Sequence, residues 1–447
     1  MRLLLVAKSA YSGVHGDGRS HPAILSGHTV GFVRGLVRAA RRRGDHITYL
    51  YPAFAGPAEV CFFDAADPVP ADVVARPFWD EPLPKSAVSS APVELVARVA
   101  EICRSPDSRP DVAAFVYPFP LLALAAPVLD AAGVPYVASF RGGDAYRWLA
   151  PPAADTPSGP VAIRAAYLVA LQGAASLTAA SSWLADVARG AGLTVDGVIG
   201  SPPPDDDQGV SPSGASTDPA DATARKRRYL EEGYRPVTGE ALRPDRRWLL
   251  WSGRLSPDKR PDLAIRSFRQ SSAAGDGWQL VVAGDGDRSL LPAALPPGVA
   301  HVFVPPRSLP LMLRAADGAV HTAVPGSFID SRPSSVLAAS AYGVPCITVR
   351  SDGVGGTDEC VSPEVLAALG VDPSRDEDRI VAGLAAGIDV LAGDGVRRRL
   401  SQDVATWARD AGLWDTMDRF LDLTAAAVAV GAQVPGATEA AGIASGP

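Results

Sequence analysis

Two basic residues five positions apart follow a candidate strand in the second half of the chain. The segment WLLWSGRLSPDKRPDLAI is expected to form a strand that ends just before Gly253, which allows a tight turn. Arg254 and Lys259 then precede a helix that Pro261 is well suited to begin. Two cations beside a helix N-terminus form a receptor for a diphosphate, because they and the unpaired N–H groups favour negative charge. The alternative is a pair of surface charges in a strand-to-helix loop.

Short apolar runs alternate with helical patterns along most of the chain. Nearly continuous apolar strands separated by helices predict parallel sheets with helices on both faces. In such sheets ligands bind beyond the carboxyl ends of the strands. The candidate strands are LLLVA (3–7), ITYLY (47–51), AAFVY (113–117), PYVASF (135–140), SLTAA (176–180), WLLWS (248–252), QLVVA (279–283), HVFV (301–304), GAVHT (318–322) and CITV (346–349).

A change of composition divides the chain into two domains. Residues 201–221 consist mainly of Pro, Ser, Asp and Gly, which cannot build a core. The segment ATARKRRYLEEGY after them is expected to be a short exposed helix with a solvated basic face. We therefore predict an N-terminal domain (1–200), a mobile linker (201–245), a second domain (246–410), a closing helix (411–433) and a disordered tail (434–447).

Composition and charge exclude several classes of protein. The 447 residues carry a net charge of −7, which disfavours a nucleic-acid binder. Cys61, Cys103, Cys346 and Cys360 lack metal-type spacing and are typical of reduced thiols. The first residues show no secretory pattern, and the uncharged stretch 112–129 contains three prolines, which favours a strand and helix over a membrane span. A cytoplasmic protein without integral membrane contact is expected.

The segment GRLSPDKRPDLAI resembles the C-domain signature of the retaining GT-B glycosyltransferases of family four, the glycosyl transferases group 1 type. Further segments match this family in the same order: VVAGDGD (281–287), HVFVPPRSLPLMLRAADGAVHTAV (301–324), DSRPSSVLAASAYGVPCIT (330–348), VGGTDE (354–359) and LWDTMDRFLDL (413–423). The resemblance implies a GT-B fold, in which two Rossmann-like doubly wound domains face each other across a cleft. It also implies that Arg254 and Lys259 hold the donor diphosphate, so that no metal is needed.

The donor loop departs from the family at one position. The family places two glutamates eight residues apart, and this chain has Asp330 and Ala338 there. The resemblance implies that Asp330 binds the transferred sugar and acts with Arg254 and Lys259 in catalysis. Alanine cannot hold the ribose hydroxyls, which the second glutamate usually binds. Other predicted donor-binding residues are Gly253 and Gly284 in the turns and Arg332, Pro333, Ser334 and Ser335 at the start of the next helix.

The N-terminal half matches the family at two places. Gly27 and His28 stand at the start of the first helix, where a family glycine lets the backbone approach the donor phosphate. The segment SFRGGDAYRW (139–148) matches a family segment that faces the sugar, with Arg141 in place of a common histidine and Asp144 as the acid. We therefore predict that His28, Arg141 and Asp144 face the sugar or acceptor. The alternative for Arg141 and Asp144 is a structural ion pair.

The predicted function is metal-independent transfer of a sugar, of hexosyl type, from a nucleotide-diphosphate donor to a small-molecule acceptor. The resemblance implies retention of anomeric configuration, and composition favours a bacterial protein of specialised, natural-product metabolism. No cofactor is expected beyond the nucleotide sugar, and a homodimer is a further expectation. Alternatives are a GT-B sugar-nucleotide epimerase and a non-catalytic nucleotide-sugar-binding relative. A NAD-dependent enzyme is disfavoured because no G-x-G-x-x-G follows an early strand.

Overall fold

The computed structural model describes residues 1–7, 27–51, 54–55, 74–77, 83–84, 91–149, 158–204, 219–304, 308–323 and 331–431. These residues form two compact units. The first contains the described residues up to Ser201 and those from Asp415 onward, and the second runs from Pro202 to Trp414.

The first unit is built on a parallel sheet of seven strands. Their order is β4-β2-β1-β6-β7-β8-β9, and every pair of neighbours is parallel. β1 and β6 lie at the centre and their apolar side chains are buried, as nearly continuous apolar runs predict. The elements are β1 (Arg2–Ala7), α1 (Gly27–Arg42), β2 (His46–Tyr51), β3 (Phe54–Ala55), β4 (Val74–Pro77), β5 (Leu83–Pro84), α2 (Ala91–Arg104), β6 (Val112–Val116), α3 (Leu121–Ala132), β7 (Tyr136–Phe140), α4 (Gly143–Tyr146), α5 (Ser158–Gln172), β8 (Ser176–Ala179), α6 (Ser182–Gly190) and β9 (Gly197–Val198).

The second unit repeats this architecture. Its seven strands have the order β10-β13-β12-β11-β14-β15-β16, and only β10 is antiparallel to its neighbour. The prediction of two doubly wound domains is therefore confirmed. The elements are α7 (Pro219–Glu232), β10 (Pro236–Gly239), β11 (Arg247–Ser252), α8 (Pro261–Gln270), β12 (Trp278–Ala283), β13 (Val299–Val302), α9 (Leu309–Ala315), β14 (Gly318–His321), α10 (Ser334–Ala341), β15 (Cys346–Val349), α11 (Pro363–Leu369), β16 (Gly370–Val371), α12 (Glu377–Ala392) and α13 (Asp394–Asp410).

The structure corrects the prediction of a linker over residues 201–245. Helix α7 and strand β10 belong to the second unit. Lys226 is only 4% exposed, and its Nζ lies 2.6 Å from a carboxylate oxygen of Asp317. Tyr229, one turn further on, is fully buried against Trp248, with ring centroids 5.8 Å apart. The basic run is therefore not uniformly solvated, and only residues 205–218 of the predicted linker lie outside the described chain.

The last described helix, α14 (Thr416–Gly431), belongs to the first unit. It packs on α1, where the rings of Phe32 and Phe420 meet edge to face at 5.3 Å. An ion pair of 2.8 Å joins Arg43 to Asp422. The residues predicted to form a closing helix thus complete the N-terminal unit, and the predicted tail lies outside the described residues.

The structure also bears on the membrane and cysteine predictions. The uncharged stretch 112–129 forms β6 and α3, as predicted. None of the described helices is long and apolar enough to cross a bilayer. Cys103, Cys346 and Cys360 are buried free thiols, and Cys61 lies outside the described residues.

Candidate functional site

The loops predicted to bind the donor share one edge of the second sheet. Strands β12, β11 and β14 are parallel neighbours, so their carboxyl ends meet at this edge. The loop with Gly253, Arg254 and Lys259 follows β11, the turn with Gly284 follows β12, and the segment leading into α10 follows β14. We call the first two the diphosphate loop (253–260) and the glycine turn (284–287). Three loops from separate parts of the second unit thus meet where α/β sheets bind ligands.

The diphosphate loop and the glycine turn are bonded backbone to backbone. The amide of Leu255 donates to the carbonyl of Asp285 at 2.8 Å, and the amide of Asp287 donates back to Leu255 at 2.9 Å. A Cβ atom added at Gly284 would lie 1.8 Å from the Gly253 carbonyl oxygen. Gly284 is therefore required for the two loops to approach, which is a structural role that precedes any contact with a ligand.

A buried histidine makes a hydrogen bond to the backbone of the glycine turn. His301 on β13 is buried, and its Nε2 lies 2.9 Å from the carbonyl oxygen of Gly284. Because a carbonyl only accepts, Nε2 carries the proton. Burial lowers the pKa of His301, although its bond to Gly284 opposes this effect. The ring is therefore neutral in the folded protein.

This neutral histidine should make stability depend on pH. As the pH falls below 6.5, the ordinary pKa of histidine, the unfolded chain takes up a proton that folded His301 resists. The free energy of unfolding should therefore fall as the pH is lowered. Urea unfolding of His301→Gln, which keeps a donor, should show a weaker fall between about pH 7.5 and 5.5 than wild type. The same fall in both proteins would contradict a neutral His301.

A buried threonine fixes the backbone at Lys259. Thr322, directly after β14, is fully buried, and its Oγ1 lies 2.8 Å from the carbonyl oxygens of both Lys259 and Arg260. The same hydroxyl accepts a hydrogen bond of 2.8 Å from Trp251 Nε1 on β11. We call these three contacts the threonine clamp. It ties the end of the diphosphate loop to the neighbouring strand.

Arg260 completes the turn into α8. Its φ of +48° lies in the left-handed region, which costs an L-residue about 1–2 kcal/mol. Its guanidinium pairs with Asp262 and Glu377, each at 2.8 Å. Hydrogen bonding from Arg260 lowers the pKa of Glu377, so this carboxylate is charged at neutral pH. The threonine clamp and these ion pairs together hold the strained turn.

Lys259 and Arg254 remain accessible within this fixed loop. The side chain of Lys259 is 20% exposed, and its Nζ lies 4.0 Å from Asp258 Oδ2. Arg254 is exposed. A rigid backbone with accessible cations beside a ten-residue helix can bind a diphosphate, because the electrostatic groups are positioned before the ligand arrives.

Replacing Thr322 with valine should test the clamp. Valine keeps the shape but leaves the buried Trp251 indole N–H without its acceptor, which should lower the free energy of unfolding by about 1–3 kcal/mol. Release of the Lys259 carbonyl should also weaken binding of the nucleotide diphosphate, measured by calorimetry. Thr322→Ser keeps the hydroxyl and serves as the matched control. Equal nucleotide affinity in the valine and serine variants would show that the hydroxyl does not position Lys259.

Helix α10 supplies the other part of the predicted donor site. Pro333 precedes its first turn, which contains Ser334 and Ser335. Ser335 Oγ lies 3.4 Å from His321 Nδ1 at the end of β14. Arg332 is half-buried just before the helix, and Asp330 lies outside the described residues. The helix start thus faces the same sheet edge as the diphosphate loop, and the role of Asp330 stays a prediction.

Ala338 lies one turn further along α10. Its side chain is buried in the core of the second unit. A glutamate at this position would have to enter packed apolar surroundings, which is costly without partners. The departure from the family pattern is therefore accommodated by the packing of this helix.

In the first unit, Arg141 is bound by its own domain. It follows β7 and is 4% exposed. Its Nη1 donates to the Ile199 carbonyl and its Nη2 to Ser201 Oγ, both at 2.6 Å, and the guanidinium lies 4.3 Å from the centre of the Phe32 ring. These contacts give Arg141 a structural role. Its predicted contact with sugar or acceptor stays a prediction.

The remaining predicted residues of the first unit are placed by their backbone. Gly27 and His28 are the first two residues of α1, and Asp144 lies in the single turn of α4. Residues 8–26, between β1 and α1, lie outside the described chain. Within the described ranges, no group of three His, Cys, Asp or Glu side chains could hold a metal ion.

Sequence reasoning missed the residues that support the site. Thr322, Trp251 and His301 act through contacts between residues 17 to 71 positions apart. The available signal was a polar residue at the margin of an apolar run: Thr322 ends GAVHT (318–322), and His301 begins HVFV (301–304). Such residues sit at the carboxyl edge of a parallel sheet, where polar groups meet ligands or loops.

Comparison with known proteins agrees with this geometry. Residues 238–402 match the family model for glycosyl transferases group 1. HepE of Anabaena, solved with UDP and glucose, is 16% identical with a TM-score of 0.59, and the match covers 94% of this chain and 100% of HepE. The structure of HepE with UDP-glucose is 15% identical with a TM-score of 0.57, and the match covers 94% of this chain and 99% of HepE. A ugt transferase from Siraitia grosvenorii, in complex with UDP, is 13% identical with a TM-score of 0.50. That match covers 95% of this chain and 100% of the transferase. No curated protein matches the chain significantly in sequence.

Two doubly wound units of this topology give the chain the GT-B fold, which it shares with these glycosyltransferase structures. The match to the glycosyl transferases group 1 model runs from β10 into α13 of the second unit.

Proposed function

We propose that the protein transfers a sugar from a nucleotide-diphosphate donor to a small-molecule acceptor with retention of anomeric configuration. The threonine clamp is the observation that carries this proposal, since it fixes the backbone of Lys259 at the carboxyl ends of β11 and β14. UDP-glucose is the first donor to test, because HepE was solved with it. Retention is the stereochemistry implied by the family resemblance.

The diphosphate loop supplies the electrostatic part of the mechanism. As the bond between the anomeric carbon and the leaving phosphate oxygen breaks, negative charge grows on the diphosphate. Arg254 and Lys259 stabilise that charge from fixed positions, which lowers the barrier without reorganisation during the reaction. The N–H groups at Ser334 and Ser335 bind phosphate or sugar oxygens at the start of α10.

The acceptor reacts on the face that the leaving group vacates. Its oxygen forms the new bond to the anomeric carbon, and its proton passes to the leaving phosphate oxygen. Asp330 orients the transferred sugar through a hydrogen bond to a hydroxyl. Because two cations neutralise the diphosphate, we propose that the reaction proceeds in EDTA.

The altered donor loop supports a role in specialised metabolism. With Ala338 in place of the usual glutamate, ribose lacks one charge-assisted hydrogen bond, which is typically worth about 1.5–3 kcal/mol. That difference changes donor preference without excluding catalysis. It also motivates the rival proposal of a non-catalytic nucleotide-sugar binder.

Acceptor-dependent turnover tests the proposal. The protein is incubated with UDP-glucose and a panel of small hydroxylated acceptors in EDTA, and the anomeric configuration of the product is read from its proton coupling by NMR. An α-glucoside from the α-configured donor supports the proposal. Inversion, conversion of the donor sugar without an acceptor, or binding without turnover would favour another transferase mechanism, an epimerase or a non-catalytic relative.

A further inference from the structure

A cavity lies at the amino edge of the second sheet, opposite the edge that carries the donor loops. Arg247 begins β11 and Asp317 directly precedes β14, so both mark the amino ends of strands whose carboxyl ends carry the donor loops. The cavity between them has a volume of 260 Å³ and is lined by parts of α7, α9 and α13. It is therefore separate from the diphosphate loop, and none of the roles assigned above uses it.

The lining of this cavity is strongly basic. Seven basic and three acidic side chains line it, a formal net charge of four positive. Asp317 pairs with Lys226, and Asp394 Oδ1 lies 2.6 Å from Arg247 and 2.8 Å from Arg397. Glu240, which does not line the cavity, lies 3.6 Å from Arg246. The three lining acids thus neutralise fewer than half of the seven cations, and with Glu240 a positive excess remains.

Several of these cations are held in place. Arg225 Nε donates to the Arg314 carbonyl at 2.7 Å, and the Arg314 guanidinium lies 5.6 Å from the centre of the Tyr342 ring. The guanidinium groups of Arg247 and Arg397 each lie 5.8 Å from the centre of the Trp278 ring. Fixed guanidinium groups lose little side-chain entropy when they bind a ligand.

The positive charge of the basic side chains that line the cavity is only partly compensated by carboxylates. Burial lowers the pKa of Lys226, Asp317 opposes that effect, and the charges of Arg397 and Arg225 lower it further. Arg397 Nη1 is buried and lies 2.8 Å from Asp394 Oδ1, but Arg247 shares this oxygen at 2.6 Å, so one carboxylate faces two guanidinium groups. A bound anion would relieve the repulsion and accept from such a donor.

We propose that this arginine-lined cavity, at the amino edge of the second sheet, binds a small phosphorylated anion. Guanidinium groups bind phosphate through paired N–H donors, and several of them suit a polyanion better than a single carboxylate. The volume is just below the range of about 300–1,000 Å³ usual for ligand pockets, which favours a ligand of pyrophosphate or sugar-phosphate size. The site would let such a compound bind the catalytic domain without competing with the donor.

Calorimetry with inorganic pyrophosphate tests this site. Because pyrophosphate also fits the diphosphate loop, the titrations use full-length Lys259→Ala, at about 0.15 M salt to screen diffuse attraction. In this background we expect one pyrophosphate site. Adding Arg397→Gln should weaken it at least tenfold. Adding Arg399→Gln, an exposed residue on the same helix that does not line the cavity, should leave it unchanged.

A second variant separates binding from folding. Arg398 is exposed and lines the cavity, so Arg398→Gln should weaken pyrophosphate binding without lowering the melting temperature, even if Arg397→Gln does lower it. The proposal is overturned if Lys259→Ala binds no pyrophosphate, or if the Arg397, Arg398 and Arg399 variants bind it equally.

Discussion

Replacing Lys259 with alanine should weaken binding of the donor nucleotide by about 10- to 100-fold and leave the melting temperature close to that of wild type. The affinity change follows from losing a charge-assisted hydrogen bond to phosphate, worth about 1.5–3 kcal/mol, with about 1.4 kcal/mol per tenfold. The fold should persist because the Thr322 hydroxyl holds the main chain at Lys259 through its carbonyl, and alanine keeps that carbonyl. Turnover should fall with it, since Lys259 is proposed to stabilise the leaving diphosphate.

Arg269→Ala is the matched control for this variant. Arg269 lies in the last turn of α8, so the control removes one positive charge from the far end of the helix that Lys259 precedes. Its nucleotide affinity should equal that of wild type. If Lys259→Ala and Arg269→Ala bind the nucleotide equally well, the assignment of the diphosphate loop is wrong.

Replacing Gly284 with alanine should damage both stability and donor binding. The new Cβ would lie 1.8 Å from the Gly253 carbonyl oxygen, so backbone rather than a flexible side chain must move. Overpacking of this kind typically costs about 1–3 kcal/mol, and here it separates the glycine turn from the diphosphate loop. We expect a lower free energy of unfolding in urea and a loss of UDP affinity at least as large as that of Lys259→Ala.

Gly275→Ala provides the control for a glycine substitution. Gly275 lies in the same unit, has an ordinary φ, and has open space where its Cβ would be placed. This variant should keep wild-type stability within about 1 kcal/mol and bind UDP normally. Wild-type UDP affinity in Gly284→Ala would show that the contact between the two loops does not shape the donor site.

The sequence predicts the fold well because buried parallel strands can be recognised from their own residues. Runs such as LLLVA (3–7) and QLVVA (279–283) are buried on both faces of parallel sheets, so they are continuous and easily recognised. The loop after β11 is equally recognisable, since Gly253 and Pro261 have local conformational roles. These features depend on neighbours in the chain.

The features that were missed depend on distant partners. Lys226 sits in a run of basic residues typical of a solvated face, and only its pairing with Asp317, 91 positions away, makes it a buried residue. Thr322 looks like an ordinary residue at the end of a strand, and its role is apparent only once β14 is placed beside β11. In the sequence Gly284 has the pattern of a ligand-binding glycine. In the structure it is the Gly253 carbonyl oxygen that leaves no room for a side chain there. Pairings of this kind are decided by tertiary structure, which local pattern does not encode.

Metal-free calorimetry with UDP, GDP, ADP and TDP tests the central claim most directly, namely that the diphosphate loop binds a nucleotide diphosphate. We predict that one of the four binds in EDTA, that it adds about 2.7 kcal/mol of stability at roughly 100 times its Kd, and that Lys259→Ala weakens it. Absence of binding by all four, or binding that requires a divalent metal, would contradict the account.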